Sequence, residues 1–225
     1  METRVLEGKS IAREIRKDVA ARAERLGGGV RLAVVMVGDD SASRVYSESI
    51  ARASSRVGVE CALEELDPEP GPEQIRRAIR GLSDDPSVSG IIVQRPLPPG
   101  IPDDVMEEIA PEKDVDCATA RSFGLLMTGR ELFAPCTALG VLEILAGHGI
   151  DADGANVVIV GRSAVVGKPL ACLLLAKKRG RNATVTVCHT GTRDLASHTR
   201  AGDIVVAAMG RPQAIGRDMV SEGAV

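Results

Sequence analysis

The chain has 225 residues, 44% of them hydrophobic, so it can bury a substantial core as one large domain or two smaller ones. Its 28 basic and 31 acidic residues are interspersed and give a net charge of −3, which predicts no nucleic-acid partner and no anionic membrane surface. The apolar runs are far shorter than a membrane span and no signal-peptide pattern opens the sequence. We therefore expect a cytoplasmic protein with a small-molecule ligand.

Cysteine and histidine usage argues against disulfide and metal sites. The five cysteines form no CxxC pair, and an odd number in a reducing compartment predicts free thiols. The three histidines lack the spacing of metal ligands, so we expect no bound metal. These residues are Cys61, Cys117, Cys136, Cys172, Cys188, His148, His189 and His198.

The first half of the sequence alternates helical and strand patterns. Asp40 or Ser41 can cap a helix that Gly58 ends. This alternation is typical of a parallel sheet with helices on its faces. The predicted elements are a helix within 8–29, a strand at 31–37, a helix within 38–58, a strand near 59–66, a helix after Pro72 and a strand at 88–94.

A second alternation starts near residue 135. The segment between them, 95–124, is rich in proline and acid, and we interpret it as the wall of a cleft and the approach to a hinge. The sequence thus predicts an α/β protein with two lobes around a cleft, residues 1–120 and 121–225, the second of Rossmann type. The later elements are a helix at 135–150, a strand at 155–160, a helix at 165–178, a strand at 183–189, a helix near 193–199 and a strand at 203–210.

A glycine loop follows the strand that ends at residue 160, in the motif VVIVGRSAVVGKP. Strand, glycine loop and helix in this order direct backbone N–H groups at an anion. Gly161 fits the first glycine of the dinucleotide fingerprint, but Ser163 and Val166 replace the second and third, so a tight turn that needs glycine fits equally well. The next strand ends without an acid for a ribose hydroxyl, and Arg162 lies in the loop, which favours NADP over NAD.

Two further polar features end or follow strands. Gln94 stands at the carboxyl end of a buried strand, where ligands bind in α/β sheets, although a glutamine there can also cap the strand. Asp114 and Asp116 alternate, so in an extended segment only one needs to face the cleft, and solvation explains such acids equally well.

Six motifs in order resemble the methylenetetrahydrofolate dehydrogenase/cyclohydrolase family, often called FolD. They are VGDDSASRVY, GIIVQRPLP, PEKDVD, APCT, VVIVGRSAVVGKP and NATVTVCHTGTRDL. The resemblance covers nearly the whole chain. It implies a catalytic lobe, an NADP-binding lobe, a homodimer and a role in one-carbon metabolism and purine biosynthesis. Family members oxidise 5,10-methylenetetrahydrofolate with NADP and then hydrolyse the methenyl product to 10-formyltetrahydrofolate.

The resemblance also implies site residues. Tyr46 would stack on the folate, Gln94 would lie beside the reacting carbon, and Asp116 would hydrogen-bond the pterin edge. The other folate-binding positions would be Pro96 and Leu97. The cofactor would be bound by Gly161, Arg162, Ser163, Val166, Gly167, His189 and Thr190.

The sequence departs from the family pattern at several positions. The most consequential is Ile50, where the family has a lysine one helical turn after the tyrosine. An isoleucine offers no proton and no charge, so we expect the hydrolysis of the methenyl product to be weak or absent while oxidation survives, as in members that lack this lysine and are dehydrogenases only. Cys117 replaces a glycine, Ala138 a proline, and Arg95 an apolar residue.

The sequence also stops where family members continue. After Val225, they add a strand, a folate-contacting loop and a closing helix, so the second lobe is interpreted as truncated. Together with the departures, this keeps an alternative open: a non-catalytic, degenerate relative that binds nucleotide without turnover.

Overall fold

The computed structural model describes residues 3–66 and 71–225. They form two compact units. One comprises Ala12–Gly124, and the other joins the residues up to Ile11 to Leu125–Val225. The boundary that the sequence suggests, between residues 120 and 121, stays a prediction.

The unit Ala12–Gly124 contains a parallel three-stranded sheet in the order β2-β1-β3. The central strand β1 is buried without interruption from Ala33 to Val37, as expected for a parallel strand covered on both faces. Its strands are β1 (Arg31–Val37), β2 (Glu60–Leu66) and β3 (Gly90–Val93). Its helices are α2 (Ser41–Ser55), α3 (Pro72–Asp84) and, from Ala12 onward, α1 (Lys9–Arg25).

The core of this unit lies between the sheet and α3. Ile75 and Ile79, four residues apart on one face of α3, are fully buried. Val105 and Met106 pack into the same cluster from a 3₁₀ helix, Asp103–Glu108. This 3₁₀ helix lies in the proline-rich segment 95–124, for which the sequence predicts no regular element.

The second sheet is also parallel and has the order β5-β4-β6. Its central strand, β4, has four consecutive buried residues, Val157–Val160, and leads directly into the glycine loop. The strands are β4 (Asn156–Val160), β5 (Thr184–Cys188) and β6 (Ile204–Ala207). The helices are α5 (Cys136–Gly147), α6 (Gly167–Leu174) and α7 (Leu195–Arg200). A further helix, α4 (Ala120–Met127), contains the boundary between the two units, after Gly124. The prediction of two α/β lobes, the second of Rossmann type, is confirmed.

Val225 pairs beside the start of β6. Its N–H donates to the carbonyl oxygen of Asp203 over 2.9 Å, and its carbonyl oxygen accepts from the N–H of Val205 over 2.8 Å. Within residues 3–66 and 71–225, no helix is both long enough and apolar enough to cross a membrane.

Candidate functional site

Helix α2 presents Tyr46. Asp40 caps the helix by accepting a 2.7 Å hydrogen bond from the backbone N–H of Ser43, and this bond holds the pKa of the Asp40 carboxyl below its usual 3.8. Ser43 and Ser47 form the buried face of the helix, whereas Tyr46 is 61% exposed. The ring is therefore available to a ligand rather than used as core packing.

Ile50 lies one turn after Tyr46 and is partly exposed. Residues four positions apart share a helix face, so these two side chains point to the same side of α2. The position of Ile50 is not enclosed by the core, which means that a longer side chain could reach solvent from it.

Gln94 follows β3 directly, and its backbone N–H donates to the carbonyl oxygen of Val35 over 2.8 Å. The residue is only 6% exposed, yet its Nε2 finds no hydrogen-bond partner within residues 3–66 and 71–225. A buried amide without a partner is costly, and such groups are rare in folded proteins. The amide is therefore a candidate donor to a ligand atom. A glutamine that only capped the strand end would use its amide for a bond within the protein.

The loop after Gln94 is joined to α2. The hydroxyl of Ser43 donates to the carbonyl oxygen of Arg95 over 3.3 Å, which brings the first turn of α2 next to this loop. The Arg95 side chain pairs with Asp103 at 3.1 Å, so the arginine that replaces an apolar residue of the family pattern has a structural contact of its own. Pro96 is exposed, and Leu97 packs against the core cluster.

The two aspartates of the acidic loop, residues 112–119, lie in different surroundings. Asp114 is fully buried and accepts three hydrogen bonds, so solvation does not account for it. Asp116 is half-buried, two residues further along a turn rather than in an extended segment. Cys117 adopts a positive φ of 53°, a conformation that a glycine takes more easily.

The glycine loop after β4 depends on two close backbone approaches. A Cβ atom on Gly161, whose φ is 140°, would overlap the carbonyl oxygen of Ala208. A Cβ atom on Gly167 would overlap the carbonyl oxygen of Gly161. Both glycines are thus required by the turn itself, and the same close approach brings the start of α6 next to the loop, where backbone N–H groups can bind a phosphate.

Ser163 shapes the loop at the start of α6. Its hydroxyl oxygen accepts from the N–H of Val166 over 3.1 Å, and its carbonyl oxygen accepts from the N–H of Lys168 over 3.0 Å. Because the hydroxyl accepts there, its own hydrogen remains able to donate to an anion. Arg162 and Ser163 are both exposed.

The loop after β5 lies beside the glycine loop. The N–H of Gly161 donates to the carbonyl oxygen of Cys188 over 2.9 Å, immediately before His189. The N–H of Gly191 donates to Nδ1 of His189 over 3.1 Å, which fixes the ring next to this loop. Thr190 is exposed at the same sheet edge. The residues predicted to bind the cofactor therefore come from two adjacent loops that suit a phosphate-bearing ligand.

Asp114 and Thr119 organise the acidic loop; the sequence pattern singled out Asp114 only as one of two alternating acids and did not indicate Thr119. The available signal was an aspartate six residues before the helix start at Ala120, with a threonine between them, a pattern typical of side chains that accept from free N–H groups. No three histidine, cysteine, aspartate or glutamate side chains in the described part of the chain are grouped so as to hold a metal ion.

Comparisons with known proteins identify the family. Residues 6–116 match the model "Tetrahydrofolate dehydrogenase/cyclohydrolase, catalytic domain" and residues 135–225 match the model "Tetrahydrofolate dehydrogenase/cyclohydrolase, NAD(P)-binding domain". The chain belongs to the FolD family.

Individual relatives agree with this result. The "Bifunctional protein FolD" of Bordetella avium is 45% identical over 229 residues, covering 100% of this chain and 79% of the relative. The crystal structure of the bifunctional FolD enzyme of Campylobacter jejuni has a TM-score of 0.93 and 37% identity, over 98% of this chain and 78% of that one. The Trypanosoma brucei FolD structure, complexed with NADP cofactor and inhibitor, has a TM-score of 0.89 and 31% identity, over 98% of this chain and 76% of that one.

Family membership confirms the predicted family, fold class and cofactor, since residues 135–225 are the family's NAD(P)-binding domain and one similar structure holds NADP. The roles of the individual site residues stay predictions.

Proposed function

We propose that this chain oxidises 5,10-methylenetetrahydrofolate to 5,10-methenyltetrahydrofolate by hydride transfer to NADP, with weak or absent cyclohydrolase activity. The observation that carries the proposal is the buried Nε2 of Gln94, which has no hydrogen-bond partner among residues 3–66 and 71–225 and stands at the position that the family resemblance assigns beside the reacting carbon. The names of the relatives support the same reaction class, because each describes a FolD protein or a methylenetetrahydrofolate dehydrogenase/cyclohydrolase.

The folate would be bound by the unit Ala12–Gly124. Tyr46 offers an exposed ring for stacking, Gln94 offers a buried donor, and Asp116 offers a carboxylate for the N–H groups of the pterin. Pro96 and Leu97 would form the wall next to Gln94. These groups orient the substrate, and hydride transfer depends mainly on such alignment.

The cofactor would be bound by the two loops at the edge of the second sheet. When bound, the nicotinamide of NADP supplies the hydride acceptor. Gly161 and Gly167 allow the close turn, Ser163 can donate to a phosphate, and Arg162 is exposed for the 2′-phosphate. The remaining contacts would come from Val166, His189 and Thr190. The absence of an acid after β5 supports NADP over NAD.

The cyclohydrolase step is the part that Ile50 affects. Attack of water on the methenyl carbon needs a group that moves a proton or stabilises charge, and loss of such a group costs roughly 10²- to 10⁴-fold. An isoleucine on the same face as Tyr46 supplies neither function. We further propose that the protein is a cytoplasmic homodimer that contributes to one-carbon metabolism and purine biosynthesis, as the family resemblance implies.

A dehydrogenase assay on the purified chain with NADP and with NAD tests the proposal. We expect formation of methenyltetrahydrofolate, faster with NADP at equal concentrations. Nucleotide binding by calorimetry without any turnover would contradict the proposed activity and favour the alternative, a relative that binds nucleotide without catalysis.

A further inference from the structure

We infer that Asp114 is a positioning residue for the reaction: it fixes the loop that presents Asp116 to the folate. The inference rests on the proposed function, because it assigns the folate contact to Asp116. It concerns a residue that does not itself touch the substrate, and it is carried by the hydrogen bonds of the described loop.

The carboxylate of Asp114 is fully buried and serves the backbone on the far side of Asp116. Its Oδ1 accepts from the N–H of Ala118 over 2.8 Å. Its Oδ2 accepts from the N–H of Thr119 over 2.9 Å and from the Thr119 hydroxyl over 2.8 Å. The side chain therefore joins the two ends of the turn that contains Asp116.

The backbone of Asp114 is fixed independently. Asp114 forms a parallel bridge with Ile91 of β3, and the N–H of Ile91 donates to the carbonyl oxygen of Lys113 over 2.7 Å. The carbonyl oxygen of Asp114 accepts from the N–H of Cys117 over 3.1 Å. The loop is thus anchored to the same strand that Gln94 follows, so Asp114 ties the position of Asp116 to the strand that carries the candidate reacting site.

The identity of the residue matters because all three donors point at one carboxylate. Asparagine has the same shape, but one of its two acceptor atoms is replaced by an NH₂ group that would face an N–H of Ala118 or Thr119. A buried donor facing a donor is unfavourable, so the loop would shift. A displacement of about 1 Å at a group that orients the substrate can lower the rate by roughly 10²-fold.

The test compares Asp114→Asn with Asp85→Asn. Asp85 also organises a loop in the same unit, accepting from the N–H and hydroxyl of Ser87 at 2.8 and 2.7 Å, but it precedes β3 instead of following it. We expect Asp114→Asn to raise the KM for methylenetetrahydrofolate or the Kd for tetrahydrofolate by at least about tenfold, with the Kd for NADP unchanged. Asp85→Asn should leave all three constants unchanged. Equal effects of the two substitutions would overturn the inference.

A double-mutant cycle with Asp116→Ala separates positioning from general stability. If Asp114 acts through Asp116, then Asp114→Asn should add little further loss of tetrahydrofolate binding in the Asp116→Ala background. Additive losses would overturn the inference. If Asp114→Asn does not fold, the same cycle is run with Thr119→Val, which removes the hydroxyl that donates to Asp114 and that also accepts from the N–H of Ser122 over 3.0 Å. Failure of the unmodified chain to bind tetrahydrofolate would instead overturn the proposed function, and with it the role of Asp114.

Discussion

Ile50 lies one helical turn after Tyr46 on the same face of α2, and neither side chain is buried in the core. The residues that the helix does bury are Ser43 and Ser47. An alternative interpretation is an ordinary packing stripe of Tyr46, Ile50, Ala53 and Val57; of these, Tyr46 and Ala53 are exposed, whereas Ile50 and Val57 are partly buried. Large apolar side chains left accessible in this way are consistent with a ligand-binding surface.

Removal of the ring is the first test of that surface. Tyr46→Ala should raise the KM for the folate by roughly 2- to 10-fold, because aromatic stacking contributes about 0.5–1.5 kcal/mol beyond burial. Tyr46→Phe is the matched control, since it keeps the ring and should keep most of the affinity. Unchanged folate kinetics in a folded Tyr46→Ala variant would show that the ring does not contact the substrate.

Cofactor preference depends on Arg162 in our account. Arg162→Ala should weaken NADP binding by about tenfold while NAD binding changes little, because only NADP carries the 2′-phosphate and a charge-assisted hydrogen bond contributes about 1.5–3 kcal/mol. Arg179→Ala, an exposed arginine beyond the carboxyl end of α6, serves as the control. Titration calorimetry measures both cofactors. Equal losses for NADP and NAD would mean that Arg162 contacts the shared pyrophosphate instead.

The positive φ of Cys117 predicts an order of stability between two substitutions. Cys117→Gly and Cys117→Ala both remove the thiol, but only alanine keeps a Cβ atom at a φ of 53°. We expect the glycine variant to have the higher free energy of unfolding, by about 1 kcal/mol. Chemical denaturation of both variants measures the difference. An alanine variant that is as stable as the glycine variant would show that the loop relaxes without strain.

The cap of α2 predicts a pH dependence. The bond from the Ser43 N–H lowers the pKa of Asp40 in the folded state below its usual 3.8. The stabilisation is therefore fully present above the ordinary pKa of 3.8 and is lost as the pH falls through the lower pKa of the folded state. Asp40→Asn keeps an acceptor that does not titrate, so its unfolding temperature should decrease less between pH 6 and pH 3 than that of the unmodified chain. Parallel curves for the two proteins would contradict this assignment.

The sequence predicted the regular elements well where one rule decides them. The run RLAVVMV coincides with β1, because a strand covered on both faces is apolar throughout. Asp40, one of two proposed caps, is the observed cap of α2. The segment 95–124 was predicted less well, since its 3₁₀ helix and α4 have no long apolar period and depend on tertiary contacts.

Some residues of the candidate site could also be predicted from local sequence patterns, and others could not. Gln94, Gly161 and Gly167 stand where strand ends and tight turns place them, so local patterns were enough to find them. The burial of Asp114 depends on backbone N–H groups four and five residues later, and a loop closed by such bonds has no periodic signal. The alternation of the two aspartates would place them on opposite sides only in an extended segment, whereas the observed segment is a turn.

The most direct test of the account is the ratio of methenyltetrahydrofolate hydrolysis to methylenetetrahydrofolate oxidation, measured in the unmodified chain and in Ile50→Lys. We expect the unmodified chain to oxidise the substrate while hydrolysing the product hardly faster than buffer does. Ile50→Lys should raise this ratio, because the half-exposed position lets an ammonium reach the same side of α2 as Tyr46 without entering the core. Substantial hydrolysis by the unmodified chain would show that another group activates the water and would contradict the role we assign to position 50.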